Sequence, residues 1–256
     1  MNLLFTLCGR AGSKGFKNKN LKLFCGAPLV YYSLAAIKLY MDRYTKEDNV
    51  TIVLNTDSSD LSDLVLNQQC AVPVNYIDRD SELGGDNVPK VSVIKDCLDK
   101  MENFTGLTYD IVVDLDITSP LRTVDDIKNA IEKKTERPDV DVVYSVTNSR
   151  RNPYFNMAKQ DDFYFTKAMA SSFTTRQESP VFYDMNASIY AYNPSALRKK
   201  NHTTFFNDKC YATIMKDTGI LDIDCEEDFE LMQVIAEYLY KKYPEFGTIA
   251  KEARIL

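Results

Sequence analysis

The sequence predicts an α/β protein with a mainly parallel, twisted sheet flanked by helices. Three observations lead there. Apolar runs of strand length recur at Leu3–Cys8, Val50–Leu54, Val72–Tyr76, Ile111–Leu115, Val140–Val146, Ser188–Tyr192 and Tyr211–Met215. Between the early runs lie segments of helical period. This alternation breaks once, after about Val146, and later resumes.

The elements follow in order. Leu3–Cys8 is a clean apolar strand. Pro28 to about Met41 has proline at its start and apolar residues three and four apart, a helix. Ser58 to about Gln69 opens with Ser/Asp capping chemistry, and Val88 to about Met101 is amphipathic. Thr123 to about Lys134 begins Thr-Val-Asp-Asp, an N-cap followed by acids that suit a helix N-terminus. Residues 149–185 break the rhythm with Asn152-Pro153, an aromatic hairpin around Gln160-Asp161-Asp162 and the polar stretch SSFTTRQESP. We therefore expect an α/β domain from residues 1–148 and 186–256, with an inserted arm at 149–185. An isolated aromatic hairpin is marginal in water, so the arm is expected to dimerise and the protein to be a homodimer. The last helix runs from about Glu226 to Tyr240.

Composition narrows the function. The chain has 256 residues, a formal net charge of −6, six cysteines and one histidine, His202. A net acidic chain is a poor nucleic-acid binder unless its bases cluster. One histidine leaves no His-rich metal site and no two-histidine acid/base pair. Chemistry must run on carboxylates, cations, backbone amides or a metal. No two cysteines have CxxC spacing, which suits free thiols in a reducing cytosol. The N-terminal apolar run is too short for a signal segment, and no run reaches membrane-spanning length. The expectation is a cytoplasmic protein without a membrane partner.

The first βα connection, GRAGSKGFKNKN from Gly9 to Asn20, places Gly9, Gly12 and Gly15 among Arg10, Lys14, Lys17 and Lys19. Glycine backbone can approach a ligand closely. Together with clustered cations at a strand's C-terminal end, it suits a polyphosphate. The spacing is neither GxxxxGK[ST] nor GxGxxG. Two further patterns carry acids at i and i+2: Asp114-Leu115-Asp116 and Asp222-Ile223-Asp224. In an extended segment such a pair shares one face. Asp222 and Asp224 suit Mg²⁺, which prefers oxygen ligands. Asp224 with Glu227 also reads as a capped helix N-terminus.

Arg-x-Gly-Ser-Lys-Gly-x-x-x-Lys-Asn, from Arg10 to Asn20, resembles the signature of the CMP-N-acylneuraminate (CMP-sialic acid, nonulosonate) synthetases, a cytidylyltransferase family. The resemblance spans nearly the whole chain. It continues through Gly26-Ala27-Pro28-Leu29, Arg79-x-x-x-Leu83-x-x-Asp86, Thr118-Ser119-Pro120-Leu121-Arg122, Arg176-Gln177, Asn186-Ala187-Ser188-Ile189-Tyr190, Phe205-Phe206 and Asp222-Ile223-Asp224.

The resemblance implies a Rossmann-like nucleotidyltransferase fold and transfer of CMP from CTP to the anomeric hydroxyl of a nine-carbon 2-keto sugar acid, releasing pyrophosphate. It implies that Gly9, Arg10, Gly12, Ser13, Lys14 and Asn20 bind the nucleotide. Arg79 and the backbone near Val88 would read cytosine. Arg10, Lys14, Asp222 and Asp224 would be catalytic, with Mg²⁺ on Asp222 and Asp224. Asp116, Thr118, Ser119, Arg122, Phe155, Arg176, Asn186, Tyr190, Phe205 and Phe206 would face the sugar, with Asp116 the candidate general base. Lys90 stands where Ser is frequent, a departure on the base side. Asp116 stands where the family commonly has Gln, Phe155 where sialic-acid enzymes tend to have Lys, and Ala187 in place of Gly. These last three departures favour a differently decorated acid, such as legionaminate. Kdo or pseudaminate as acceptor, or a non-catalytic nucleotide-binding relative, are the alternatives.

Overall fold

The computed structural model describes residues 1–12, 15–45, 47–69, 72–85, 87–199, 209–220 and 222–256. In chain order its elements are β1 (Asn2–Cys8), β2 (Leu23–Phe24), β3 (Ala27–Pro28), α1 (Leu29–Tyr44), β4 (Asn49–Thr56), α2 (Ser59–Leu66), β5 (Asn75–Asp78), α3 (Lys90–Thr105), β6 (Ile111–Leu115), α4 (Val124–Glu136), β7 (Val142–Asn148), β8 (Ala158–Asp161), β9 (Tyr164–Lys167), β10 (Tyr183–Tyr192), α5 (Pro194–Leu197), β11 (Cys210–Ile214), α6 (Glu226–Lys242) and α7 (Pro244–Ala253).

Seven strands form one sheet in the order β11-β7-β10-β6-β1-β4-β5. All neighbours are parallel except β10, which runs antiparallel to β6 and β7. The sheet is thus mainly parallel and flanked by helices, as expected. β1 sits at its centre, and its alternation divides the core. Leu3, Phe5 and Leu7 pack with residues of α1, α4, α6 and α7. Leu4 packs on the other face with Ile94, Leu98 and Met101 of α3 and with Ala196 and Leu197 of α5. Burial on both faces is why this strand reads as a continuous apolar run.

Several boundaries differ from the sequence reading. β5 starts at Asn75, three residues after the expected Val72. Gln68 explains this: its side chain donates to Val72 O at 2.9 Å and accepts from Val72 N at 3.3 Å, holding that residue in a loop. α3 starts at Lys90 because Pro89 is its N-cap. The short helix α7 follows α6 with Pro244 in its first turn. Its burial of Phe246, Ile249, Ala250 and Ala253 comes from tertiary packing.

β10 is five residues longer at its start than expected and carries a register irregularity between Met185 and Tyr190. Within it Ala187 has φ of 52°. A Cβ in the left-handed region costs about 1–2 kcal/mol, whereas glycine carries no such penalty. Ala187→Gly is therefore expected to raise Tm slightly, by about 1–3 °C after the added unfolded-state entropy, in a thermal melt.

β8 and β9 form the expected hairpin, joined by Asp162-Phe163 with Asp162 at φ 52°. Phe163, Tyr164 and Phe165 at its tip are 92%, 78% and 72% exposed. Among the described residues no helix is long and apolar enough to cross a membrane.

Candidate active site

The C-terminal ends of β1, β4 and β6 open into a cavity of about 520 Å³. It gathers Gly9, Arg10, Gly15, Lys19 and Asn20 from the first loop, Arg79 and Val88 from the loop after β5, Asp116 and Thr118 beyond β6, and Asp222 and Asp224 before α6. Distant parts of the chain converge there because every parallel strand ends on this edge.

The first loop is pinned at several points. Gly9 N–H donates to Asn55 O at 3.2 Å, and Ala11 N–H donates to Asp57 Oδ1 at 2.6 Å. These two amides are engaged internally, so the Gly9 and Ala11 N–H groups are not offered to a ligand. The Gly9 requirement is steric: a Cβ there would lie 2.6 Å from Leu61 Cδ2 and 2.9 Å from Asn20 Nδ2. Gly12 has φ of 74° and faces open space. Asn20 is buried, and its Oδ1 has no hydrogen-bond partner among the described residues. An orphaned acceptor on a cavity wall suits a ligand donor such as a hydroxyl. Ser13 and Lys14 lie outside the described residues.

Gly15 joins this loop to the acidic segment. A Cβ on it would sit 2.5 Å from the backbone oxygen of Asp224. Lys19 reinforces the junction, with Nζ donating to Ile223 O at 2.6 Å and 3.6 Å from Asp224 Oδ1. Gly15→Ala should wedge the two apart and weaken CTP binding by about tenfold or more in calorimetry, since a one-ångström misplacement is costly in such sites. Unchanged affinity would show that the loop relaxes freely.

In the loop after β5 Arg79 is buried and oriented by Asn55. Its Nε donates to Asn55 Oδ1 at 2.7 Å and its Nη2 to Asn55 O at 2.9 Å. Asn55 O also accepts Gly9 N–H, so one residue ties the first loop to the loop after β5. Val88 lines the cavity, but its own N–H donates to Gly85 O at 3.2 Å, so the Val88 amide is not presented to a base.

Asp222 and Asp224 flank Ile223, whose N–H donates to Thr118 O at 3.0 Å and whose side chain is fully buried. The segment is irregular rather than a strand. The cap of α6 is Cys225, with Asp228 Oδ2 accepting from the backbone N–H groups of Asp224 and Cys225 at 3.1 and 3.0 Å. Capping therefore falls to Cys225 and Asp228 rather than Asp224 and Glu227, and the Asp224 carboxylate is left at the cavity, 78% exposed. Burial, followed by the charges of Asp224 and Asp116, pushes the Asp222 carboxyl from 3.8 up to about 6. Such crowded carboxylates favour a hard cation, and their oxygens fit Mg²⁺. Among the described residues no group of three His, Cys, Asp or Glu could hold a metal. Two side-chain ligands would leave the other positions for phosphate and water.

The raised carboxyl has a consequence for metal-free protein. The folded state holds the Asp222 proton more tightly than the unfolded chain does, so this contribution to stability is complete below about pH 4 and is lost as pH rises through about 6. Asp222→Asn should remove that loss. Melts in chelator from pH 4 to 7 should show the variant gaining on wild type as pH rises.

Beyond β6 Asp116 accepts from Thr118 N–H at 2.9 Å, Thr118 Oγ1 at 2.8 Å and Lys90 Nζ at 2.7 Å. Burial alone would raise its carboxyl, but the Lys90 charge and these bonds outweigh burial and hold it down at about 2. A carboxylate this acidic is a poor proton acceptor near pH 7, which corrects its candidacy as general base. Tyr190 is half-buried and stacks on Tyr192 with centroids 5.9 Å apart.

Three expected sugar contacts point inward instead. Arg122 is 1% exposed and donates to Ser188 Oγ at 3.0 Å, Ser33 Oγ at 2.8 Å, Ser119 O at 2.6 Å and Asp116 O. It clamps β6, α1 and β10 together, and burial lowers its guanidinium to about 10. Ser119 Oγ donates to Asn186 O at 3.1 Å. Asn186 accepts from Ser145 Oγ at 2.6 Å and donates to Met215 Sδ at 3.4 Å. None of the three lines the cavity. Phe155 and Arg176 are exposed and also lie off its wall. Phe205 and Phe206 lie outside the described residues.

Sequence reasoning passed over Asn55, Asp57 and the cavity role of Lys90. A signal existed for the first two: Asn55-Thr56-Asp57-Ser58 is a polar run directly after an apolar strand, the same chain position that Gly9 occupies after β1.

The family model described as Cytidylyltransferase matches residues 7–242. The chain belongs to the cytidylyltransferase family. Relatives of this cytidylyltransferase include the post-translational flagellin modification protein B of Campylobacter coli and the CMP-N,N'-diacetyllegionaminic acid synthase of Campylobacter jejuni. Each is 32% identical over 91% of this chain and 94% of the relative. An N-acylneuraminate cytidylyltransferase of Streptococcus agalactiae is 29% identical over 86% of this chain and 50% of its own. Among solved structures, a CMP:2-keto-3-deoxy-manno-octonic acid synthetase complexed with CTP superposes with a TM-score of 0.64 at 12% identity, covering 93% of this chain and 99% of that one. A 4-diphosphocytidyl-2C-methyl-D-erythritol synthase from Anaerococcus prevotii gives 0.54 at 15% identity, over 92% and 96%. These likenesses show the fold, a Rossmann-like sheet flanked by helices.

Proposed function

We propose that this cytidylyltransferase transfers CMP from CTP to the anomeric hydroxyl of a nine-carbon 2-keto sugar acid, with release of pyrophosphate. The observation that carries this reading is the single cavity uniting Arg10, Lys19 and Asn20, the oriented Arg79, and the Asp222/Asp224 pair. The family and the diacetyllegionaminate relative supply the substrate class. Legionaminate is our preferred acceptor, in keeping with Asp116 on the cavity wall and with the diacetyllegionaminate relative.

In this reading the chain mainly positions its substrates and balances their charge. Arg10 and Lys14 hold the triphosphate and stabilise pyrophosphate as it leaves. Arg79, with Nε and Nη2 fixed by Asn55, presents its remaining nitrogen to the cytosine edge. Asn20 Oδ1 accepts from the nucleotide. Asp116 and Thr118 face the sugar, whose hydroxyl attacks the α-phosphorus in line. Asp222 and Asp224 would hold Mg²⁺, which when bound neutralises phosphate charge and acidifies a hydroxyl or water upon it.

The deciding experiment is pyrophosphate release from CTP with Mg²⁺ against legionaminate, pseudaminate, N-acetylneuraminate and Kdo. Turnover with a nine-carbon acid supports the reading. Turnover with Kdo alone reassigns the acceptor, and no turnover with any of them refutes catalysis on sugar acids. We further propose that residues 149–185 form a dimerisation arm on a cytoplasmic enzyme. The exposed Phe163, Tyr164 and Phe165 support this, because so much apolar surface on one hairpin favours a partner. A monomer mass in light scattering, unchanged by Phe163→Ser, would reject it.

A further inference from the structure

Lys90, the first residue of α3, reaches the cavity between the two carboxylates at the end of β6. Its ammonium lies 2.8 Å from Asp114 Oδ2 and 2.7 Å from Asp116 Oδ2. Both acceptors are braced from behind. Thr6 Oγ1 donates to Asp114 Oδ1 at 2.8 Å, and Thr118 donates twice to Asp116 Oδ1. The two carboxylates thus set the position of the ammonium. An ammonium carries three N–H groups; one donates to Asp116 Oδ2, and the 2.8 Å approach to Asp114 Oδ2 is an ion pair. The side chain is 35% exposed and lines the cavity, so an N–H not used by Asp116 has the cavity to face.

Asp116 itself lines the cavity and brings Lys90 to its wall. Asp222 and Asp224 line the same end, with Lys19 Nζ 3.6 Å from Asp224 Oδ1. Both substrates bring negative charge there: the α-phosphate that reacts, and the carboxylate of the sugar acid. An anion beside Asp116 is repelled by that carboxylate and gains from a cationic donor fixed next to it, whatever cation Asp222 and Asp224 hold.

We propose that Lys90 contacts substrate, donating an N–H left over from its bond to Asp116 to an anionic oxygen of the reacting pair, either the α-phosphate or the sugar-acid carboxylate. The inference rests on the proposed function above. Desolvation works against the charge on Lys90, but Asp114 and Asp116 raise its affinity for a proton well above the ordinary value, so it remains a cation across the working pH range. It acts as a fixed donor and takes no part in proton transfer.

The test uses Lys90→Met, Lys90→Arg and the charge-balanced Lys90→Met/Asp114→Asn, each checked by thermal melt. Lys90→Met should lower kcat/KM by about 100-fold, the scale of losing one charged donor at a reacting centre. Lys90→Arg should recover about tenfold of that loss, and the double variant should recover none. If the partner is the sugar carboxylate, the loss falls on KM for the acid, and the calorimetric Kd for CTP measured without acid stays within about threefold. If it is the α-phosphate, that Kd rises. Wild-type-like turnover in Lys90→Met, or recovery in the double variant, overturns the inference by reducing Lys90 to a neutraliser. Should Lys90→Met fail to fold, the double variant decides alone. If wild type makes product, any such failure belongs to Lys90. If wild type makes none with any acid, the underlying reading falls and this inference with it.

Discussion

Asp224→Ala and Lys14→Ala are each expected to lower kcat/KM for CTP by about 10²–10³-fold or more, with Tm within a few degrees of wild type. The Asp224 case follows from its geometry. The carboxylate is 78% exposed, with one 3.6 Å approach from Lys19, so its removal costs the fold little. The backbone of Asp224 does the structural work, since its N–H joins the Asp228 cap and its carbonyl packs on Gly15. What the variant loses is half of the oxygen pair facing the cavity. Lys14 belongs to the same expectation through its place in the first loop. Pyrophosphate release measured over a Mg²⁺ series provides the check. Turnover within about threefold of wild type at all concentrations would remove Asp224 from the metal and Lys14 from the triphosphate.

The second large effect concerns the base. Arg79→Ala should lower kcat/KM for CTP by about 10³-fold and collapse the preference for CTP over UTP, leaving KM for the sugar acid little changed. Sites that hydrogen-bond a substrate group discriminate by factors of about 10⁴–10⁵, because the wrong partner leaves buried polar groups unpaired. Arg79 has that character: it is 8% exposed and anchored by two bonds to Asn55. Arg79→Lys should fall nearly as far, since an ammonium keeps the charge but not the planar fork that Asn55 grips. Asn55→Ala should follow the same selectivity pattern more weakly, by freeing the guanidinium and loosening Gly9. The checks are kinetics with CTP and UTP at saturating acid, and calorimetry with each nucleotide. A retained CTP preference in Arg79→Ala would move base reading elsewhere.

The extent of legibility differs between elements for identifiable reasons. β1 and β6 fall where the apolar runs lie because both are buried on both faces, leaving no polar alternation to blur their ends. α4 begins after Thr123 as expected, since its cap is local: Thr123 and Asp126 bond reciprocally across three residues. β5 and β10 were displaced by interactions that propensity cannot weigh, the Gln68 clasp on Val72 and the irregularity at Ala187. The antiparallel run of β10 is equally invisible in an apolar pattern, because alternation carries no direction.

The site divides along the same line. Motif spacing brought Gly9, Arg10, Asp116, Asp222 and Asp224 into consideration, because loop glycines, cations and paired acids announce phosphate and metal chemistry locally; the family resemblance added Asn20 and Arg79. Which of the polar residues face the cavity depends on packing. Arg122, Ser119 and Asn186 sit in motifs beside the cavity residues, yet they point into the protein and join β6, β7 and β10. Lys90 reads as an ordinary helix-start lysine until β6 places Asp114 and Asp116 within 3 Å of its ammonium. A sequence records which groups can bond. Their orientation is settled by contacts between residues 24 to 204 positions apart, such as Arg79 with Asn55, Lys90 with Asp116, Thr6 with Asp114 and Lys19 with Ile223, and no local pattern encodes those.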